Sequence, residues 1–128
     1  MIRQEACADK ILLLGLDGMD PRLTKKYVEK GIMPNVKQYI ERGACREDLV
    51  MLGGHPTVTP PMWTTLACGC YANVHGITGF YRKGDDLDLV DYNLDSRNCH
   101  AEPLWNVFAE AGRKTLVWHW PGSAWPPT

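Results

Sequence analysis

Residues 11–16 form an unbroken apolar run, Ile11-Leu12-Leu13-Leu14-Gly15-Leu16, as expected of a parallel strand buried on both faces. The polar stretch Asp17-Gly18-Met19-Asp20-Pro21 ends it abruptly. Beyond it the apolar positions take up helical spacing. Residues 22–30 read as a helix with Leu23 and Tyr27 on one side and Gly31 as its stop. Pro34 opens a second helix, with Val36, Tyr39 and Ile40 turned inward and Gly43 ending it. Residues 47–52 read as a second short strand. The loop Gly53-Gly54-His55-Pro56 then leads into a third helix that starts at Thr59-Pro60-Pro61 and runs to about Cys70, with Met62, Leu66 and Cys70 sharing a face. Residues 73–95 are the least regular part, punctuated by Gly76, Gly79 and Gly84 and carrying Asp85, Asp86, Asp88 and Asp91. Within them, residues 87–92 suit an edge strand. Pro103 opens a further helix that runs through Ala111 and stops at Gly112. Residues 114–120 read as a strand and residues 121–128 as coil.

Strand, helices, strand, helix, helix, strand is the order of an α/β domain with a mainly parallel sheet and helices on both faces. The chain's 128 residues suit one domain. Three or four strands make a small sheet, however, and the last predicted strand runs into coil. The expectation is that residues 1–128 are the N-terminal part of a single larger domain, truncated at the C-terminus.

Charge narrows the partners. Lys and Arg number 14 against 15 Asp and Glu, so the net charge is −1 and no basic face is available for a nucleic acid polymer. The longest apolar run is too short to cross a membrane. Residues 1–10 are polar and lack the apolar core of a secretory leader, which predicts a cytoplasmic location. In that compartment the five cysteines are expected as reduced thiols.

Several residues are candidates for chemistry. Asp17 directly follows the first predicted strand, where functional groups of open α/β sheets gather, and its carboxylate suits a metal ion. The same dipeptide, Asp17-Gly18, is equally an ordinary turn. Asp20, before Pro21, reads as a helix N-cap. Thr59 stands at the mouth of the third helix, where its hydroxyl either caps the helix or acts as a nucleophile in the field of the helix N-terminus. Cys68-Gly69-Cys70 and Cys99-His100 lack the paired spacing of a zinc site, and buried apolar thiols are the better reading. His75 and His119 read as hydrogen-bonded structural residues. Trp105 and Trp118 read as core, whereas Trp120 and Trp125 flank a loop from which they could reach a substrate.

Two segments in combination alter this balance. The stretch from Ile11 to Asp20 resembles the opening strand and metal-binding Asp of the type I phosphodiesterase/nucleotide pyrophosphatase family, within the alkaline phosphatase superfamily. Pro56-Thr57-Val58-Thr59-Pro60-Pro61-Met62-Trp63-Thr64-Thr65-Leu66-Ala67-Cys68-Gly69, with His75-Gly76-Ile77 after it, resembles that family's nucleophile helix and its trailing His-Gly-Ile. Pro34-Asn35, Glu41-Arg42-Gly43-Ala44, Pro103-Leu104-Trp105, Ala111-Gly112 and Trp120-Pro121-Gly122 fit the same pattern, so the resemblance covers nearly the whole chain.

The resemblance implies an alkaline-phosphatase-like three-layer sandwich and a metal-dependent phosphoric ester hydrolase. Asp17 would bind one of two divalent metal ions, Zn²⁺ in the family. Thr59 would be both metal ligand and nucleophile, forming a phospho-enzyme with a small-molecule phosphate ester. Nucleotide pyrophosphatases commonly carry an Asn three residues after the nucleophile, where this chain has Met62. The backbone amide of Met62 would then have to serve in substrate binding, and a less specialised phosphodiesterase or phosphatase fits better. The sulfatase signature Cys/Ser-x-Pro-x-Arg is absent. The family's remaining metal ligands come from later segments, so the expected partner of this chain is the rest of its parent chain, and the chain alone is expected to be inactive. A phosphomutase or phosphonate hydrolase of the same superfamily, and a non-catalytic α/β binding module in which Thr59 only caps its helix, are the alternatives.

Overall fold

In the computed structural model, which describes residues 8–46, 57–84 and 90–123, each long helix begins at or next to a proline, because the first helical turn has no use for the missing N–H. The chain divides into two units, Met1–Glu47 and Asp48–Thr128.

In the first unit, α1 spans Pro21–Glu29 and α2 spans Pro34–Arg42. Asp20 is the N-cap of α1. Its Oδ1 accepts the N–H groups of Arg22 and Leu23 at 2.8 and 2.9 Å, and Thr24 Oγ1 donates to its carbonyl at 2.8 Å. Such a cap contributes about 1 kcal/mol. The Leu23 amide and the Arg22 guanidinium hold the Asp20 carboxyl below its usual range. The C-terminal end of α1 closes on itself, with Ile32 N donating to the Tyr27 carbonyl at 2.9 Å. Gly43 ends α2, donating to the Tyr39 carbonyl at 3.0 Å. The two helices touch, but neither holds a buried residue, and Tyr39, read as inward-facing, is exposed.

The second unit is organised around α3, Thr59–Cys68, whose Pro60, Pro61, Met62, Trp63, Thr64 and Ala67 are buried. A helix buried over so much of its circumference is an interior element, not an amphipathic surface one. After it come the short helix α4 (Ala72–His75), β1 (Tyr81–Lys83), β2 (Val90–Tyr92), a 3₁₀ turn at Ser96–Asn98 and α5 (Leu104–Glu110). The strands pair antiparallel, with Tyr81 opposite Tyr92, Arg82 opposite Asp91 and Lys83 opposite Val90. The Arg82–Asp91 pair is closed by an ion pair at 3.0 Å, and the two tyrosine rings lie 5.7 Å apart. Trp63, Trp105 and Trp120 form an aromatic cluster between α3 and α5. Trp120 meets Trp63 edge-on at 4.9 Å and Trp105 at 5.9 Å, and its indole N–H donates to the Trp63 carbonyl at 3.3 Å.

The described residues thus combine helices with a small sheet, α/β in the general sense. They contain one two-stranded antiparallel sheet, so the expected mainly parallel sheet is not seen among them. Residues 11–16 and 114–120 have no ladder partner and are not strands, and Leu12, Leu116 and Trp118 are 89, 87 and 77% exposed. A strand exists only when a neighbour takes its backbone hydrogen bonds. The antiparallel hairpin supplies that locally, whereas a parallel strand needs a partner from a distant part of the chain. The predicted strand at 47–52, the loop at 53–56, the carboxylates Asp85, Asp86 and Asp88, and Trp125 lie outside the described residues. No helix among the described residues is long and apolar enough to cross a membrane.

Candidate functional site

The N-terminus of α3 is built by two adjacent prolines. Val58 takes the N-cap position in an extended conformation (φ −117°, ψ 161°), and no side chain caps this end. Thr59 therefore sits one residue further in than a cap, at the first helical position, where it is half-buried. The capping role weighed for Thr59 is corrected by this placement. A residue before proline ordinarily avoids helical geometry. Here the burial of Pro60, Pro61 and Met62 outweighs that preference.

Pro60 and Pro61 contribute no N–H, and the Met62 N–H donates to the Val58 carbonyl at a long 3.3 Å. The amide of Thr59 is thus the one N–H at the first three helical positions. The Met62 side chain is buried, and its amide is engaged by the helix itself. One turn on, Thr64 Oγ1 donates to the Pro60 carbonyl at 2.7 Å, supplying a hydrogen bond to a carbonyl that the helix's own amides serve from the same position.

Behind this helix lies a hydrogen-bonded clamp. His75 ends α4 and is fully buried. Its Nδ1 accepts the Ile77 N–H at 3.1 Å, so the proton of the neutral ring sits on Nε2 and is donated to Thr65 Oγ1, 3.1 Å away. Burial pushes the His75 pKa below its ordinary value of 6.5, in keeping with a neutral ring. The His75 carbonyl accepts the His100 N–H at 3.0 Å. Gly76, at φ +81°, brings its Cα so close to His100 that an added Cβ would stand 3.0 Å from the imidazole Nδ1. The His-Gly-Ile segment therefore fastens α3 to α4 and to the segment around His100. Both ring nitrogens are used in this clamp, as a structural histidine requires. What sequence reasoning missed was the partner, Thr65. The local half of the signal, a histidine accepting the amide two residues on, was available in His75-Gly76-Ile77.

Asp17 lies in the first unit, in a turn with Gly18, and its side chain is exposed. It and Thr59 are both engaged in interactions in their own surroundings. Each offers the oxygen chemistry that zinc or a harder cation accepts. Among the described residues, however, no three His, Cys, Asp or Glu side chains converge to hold a metal ion. The donor type fits a metal centre and the donor number does not complete one. Trp120, read as a possible substrate contact, is instead packed into the aromatic cluster, and Trp118, read as core, is exposed.

Residues 11–128 match the family described as Type I phosphodiesterase / nucleotide pyrophosphatase. No solved structure matches the chain.

Proposed function

This chain belongs to the type I phosphodiesterase/nucleotide pyrophosphatase family, and on that footing we propose that it carries the nucleophile of a metal-dependent phosphoric ester hydrolase, with Thr59 in that role. The observation that carries the reading is the mouth of α3. An apolar residue, Val58, takes the cap, and two prolines keep backbone donors away. The family's threonine position is left at the positive end of a largely buried helix.

In this reading Thr59 Oγ attacks phosphorus, the ester oxygen of the leaving alcohol departs on the opposite side and takes a proton, and water later hydrolyses the threonine phosphate. The Thr59 amide is the nearest main-chain donor for a phosphate oxygen. The Met62 amide contributes by sharing its long bond to Val58. Asp17 and Thr59 would be this chain's ligands to two divalent ions, Zn²⁺ by family resemblance. Such ions, when bound, lower the pKa of a hydroxyl and stabilise charge on the attacking and leaving oxygens. Zinc takes about four ligands, so these two donors need others, and the chain by itself should have little activity. The exposed apolar run at 11–16 and the exposed Leu116 and Trp118 of residues 114–120 fit the same picture. In an alkaline-phosphatase-like three-layer sandwich these two segments would be parallel strands, with residues 1–128 the N-terminal part of that domain. A small-molecule phosphate ester is the substrate class, and with Met62 in place of an Asn a simple phosphodiester or monoester suits the site better than a nucleotide.

The test is hydrolysis of an activated phosphodiester by the parent protein with and without a chelator. Chelation and Thr59→Ala should each abolish turnover, and Thr59→Ala should do so without unfolding the protein. Thr59→Ser should retain part of the activity and Thr59→Asn none. Full activity in Thr59→Ala rules out the nucleophile assignment. Equal tolerance of Ser and Asn would point to a non-catalytic binding module.

A further inference from the structure

Three of the chain's thiols gather at the far end of α3 from Thr59. Cys68 is the last residue of that helix, and Cys70 follows it across Gly69, which takes a left-handed conformation (φ +68°). Cys99 closes the 3₁₀ turn at Ser96–Asn98, its N–H donating to the Ser96 carbonyl at 3.0 Å. All three are half-buried and reduced. Cys68 and Cys99 line the same cavity of about 300 Å³, together with Thr64, Asn93, Ser96 and Trp105.

The hydrogen-bonded clamp holds the two walls of that cavity in place. Thr65, three residues before Cys68, is bonded to the His75 ring, and the His75 carbonyl is bonded to His100, the neighbour of Cys99. Cys70 is oriented differently. Its Sγ is turned back onto the Cys68 carbonyl at 3.4 Å, while Cys99 Sγ rests on the Ala101 carbonyl at 3.2 Å. Both are weak sulfur hydrogen bonds that a rotation of the side chain gives up at little cost.

We propose that Cys68 and Cys99 are a redox-active pair, oxidised to an intramolecular disulfide by a low-molecular-weight disulfide of the glutathione class. The Cys99 thiolate attacks one sulfur of the oxidised glutathione, forming a mixed disulfide and expelling one glutathione thiolate. The Cys68 thiolate then attacks the Cys99 sulfur, forms the protein disulfide and expels the second glutathione. Two protein thiols are oxidised, one glutathione disulfide is reduced to two thiols, and the two protons go to the expelled thiolates or to solvent. Burial, followed by the neighbouring Cys70 and Cys99, raises the Cys68 thiol above its ordinary value. That suits Cys68 to the second, intramolecular step, where proximity compensates for a small thiolate fraction. The bond would close a loop of about thirty residues and tie the end of α3 to the 3₁₀ turn, so oxidation should raise the melting temperature by more than about 5 °C. The pairing does not depend on the role given to Thr59.

The experiment incubates the purified chain with oxidised glutathione, alkylates remaining thiols under denaturing conditions and maps tryptic peptides. Cleavage after Arg46, Arg82, Arg97 and Arg113 places Cys68 and Cys70 together on peptide 47–82 and Cys99 on peptide 98–113. The expected product is those two peptides joined, two hydrogens lighter than their sum, released by dithiothreitol, retained in Cys70→Ser and lost in Cys68→Ser and Cys99→Ser. Where a variant folds poorly, fragmentation of the wild-type cross-linked pair decides the question: the alkylated residue of peptide 47–82 must be Cys70, and an alkylated Cys68 would overturn the proposal. Recovery of Cys68 and Cys99 as alkylated thiols, a glutathione adduct without a cross-link, or a closed loop within peptide 47–82 would each overturn the proposal.

Discussion

Replacing His75 tests the clamp behind α3 most directly. His75→Ala removes the acceptor of the Ile77 N–H, and Ile77 is only 1% exposed, so that donor loses its partner without gaining water. An unsatisfied buried donor costs about 1–3 kcal/mol, and the lost bond to Thr65 adds about 1 kcal/mol. The space left by a fully buried imidazole adds about 1 kcal/mol more. The expected loss is about 3–5 kcal/mol, a large share of the roughly 5–15 kcal/mol available to a domain. His75→Asn should be milder, at about 1–2 kcal/mol, because its Oδ1 can accept from Ile77 although it cannot reach Thr65. Urea unfolding followed by the fluorescence of Trp63, Trp105 and Trp120 measures both. Acid gives a second reading. The Nδ1 position already receives the Ile77 N–H, so a proton placed there breaks that bond. Because burial depresses the folded pKa below 6.5, the unfolded chain binds the extra proton first. The contribution of His75 is full above about pH 6.5 and is lost as pH falls through the depressed folded value. The difference in stability between wild type and His75→Asn should therefore shrink as the solution is acidified below about pH 6.5. A loss under about 1 kcal/mol in His75→Ala, or a wild-type-to-Asn difference that does not change with pH, would refute the clamp.

Two further outcomes can be measured on the same chain. Gly76→Ala should lose about 2–3 kcal/mol in urea unfolding, because a left-handed residue acquires a Cβ and the His100 ring must move, whereas Gly69→Ala, with open space around its Cβ position, should lose only about 1 kcal/mol; equal losses would mean that the approach of His100 is immaterial. The Asp95 carboxyl, held down to about 2 chiefly by hydrogen bonds from the Arg97 side chain, should titrate in wild type near that value by carbon NMR and return toward 3.8 in Arg97→Ala. Its lowered pKa favours the folded state above the unfolded value and ceases to do so as pH falls through about 2, so an unchanged titration in Arg97→Ala would remove Arg97 as the cause.

The helices were legible because their signals are local. Asp20-Pro21, Pro34, Thr59-Pro60-Pro61 and Pro103 mark beginnings, and Gly31, Gly43 and Gly112 mark ends. All of these act through the geometry of one turn of backbone. Boundaries moved by a residue or two, as with α3 ending at Cys68 before a left-handed Gly69 instead of at Cys70. The candidate site was legible in the same local sense: the order of residues puts a threonine at a proline-opened helix mouth and an aspartate in the turn after an apolar run. The strands were legible only in part: the edge strand read at 87–92 is present as Val90–Tyr92. The run at 11–16 carries every preference of a buried strand, but preference supplies no partner for its backbone, and Val90–Tyr92 became a strand because Tyr81–Lys83 lies beside it.

The amino-acid sequence by itself determined, to within a residue or two, where the four longer helices start and stop, as well as the Asp20 cap and the family to which the chain belongs, since each is written in residues close together along the chain. Only the tertiary structure decided that Thr59 lies inside its helix instead of capping it, that Trp118 is exposed while Trp120 is packed, and that His75 reaches Thr65. Those outcomes depend on which distant groups compete for the same space and the same hydrogen bonds. The burial of Pro60, Pro61 and Met62 overrode a local backbone preference, and the Ile77 amide selected the tautomer with which His75 holds α3.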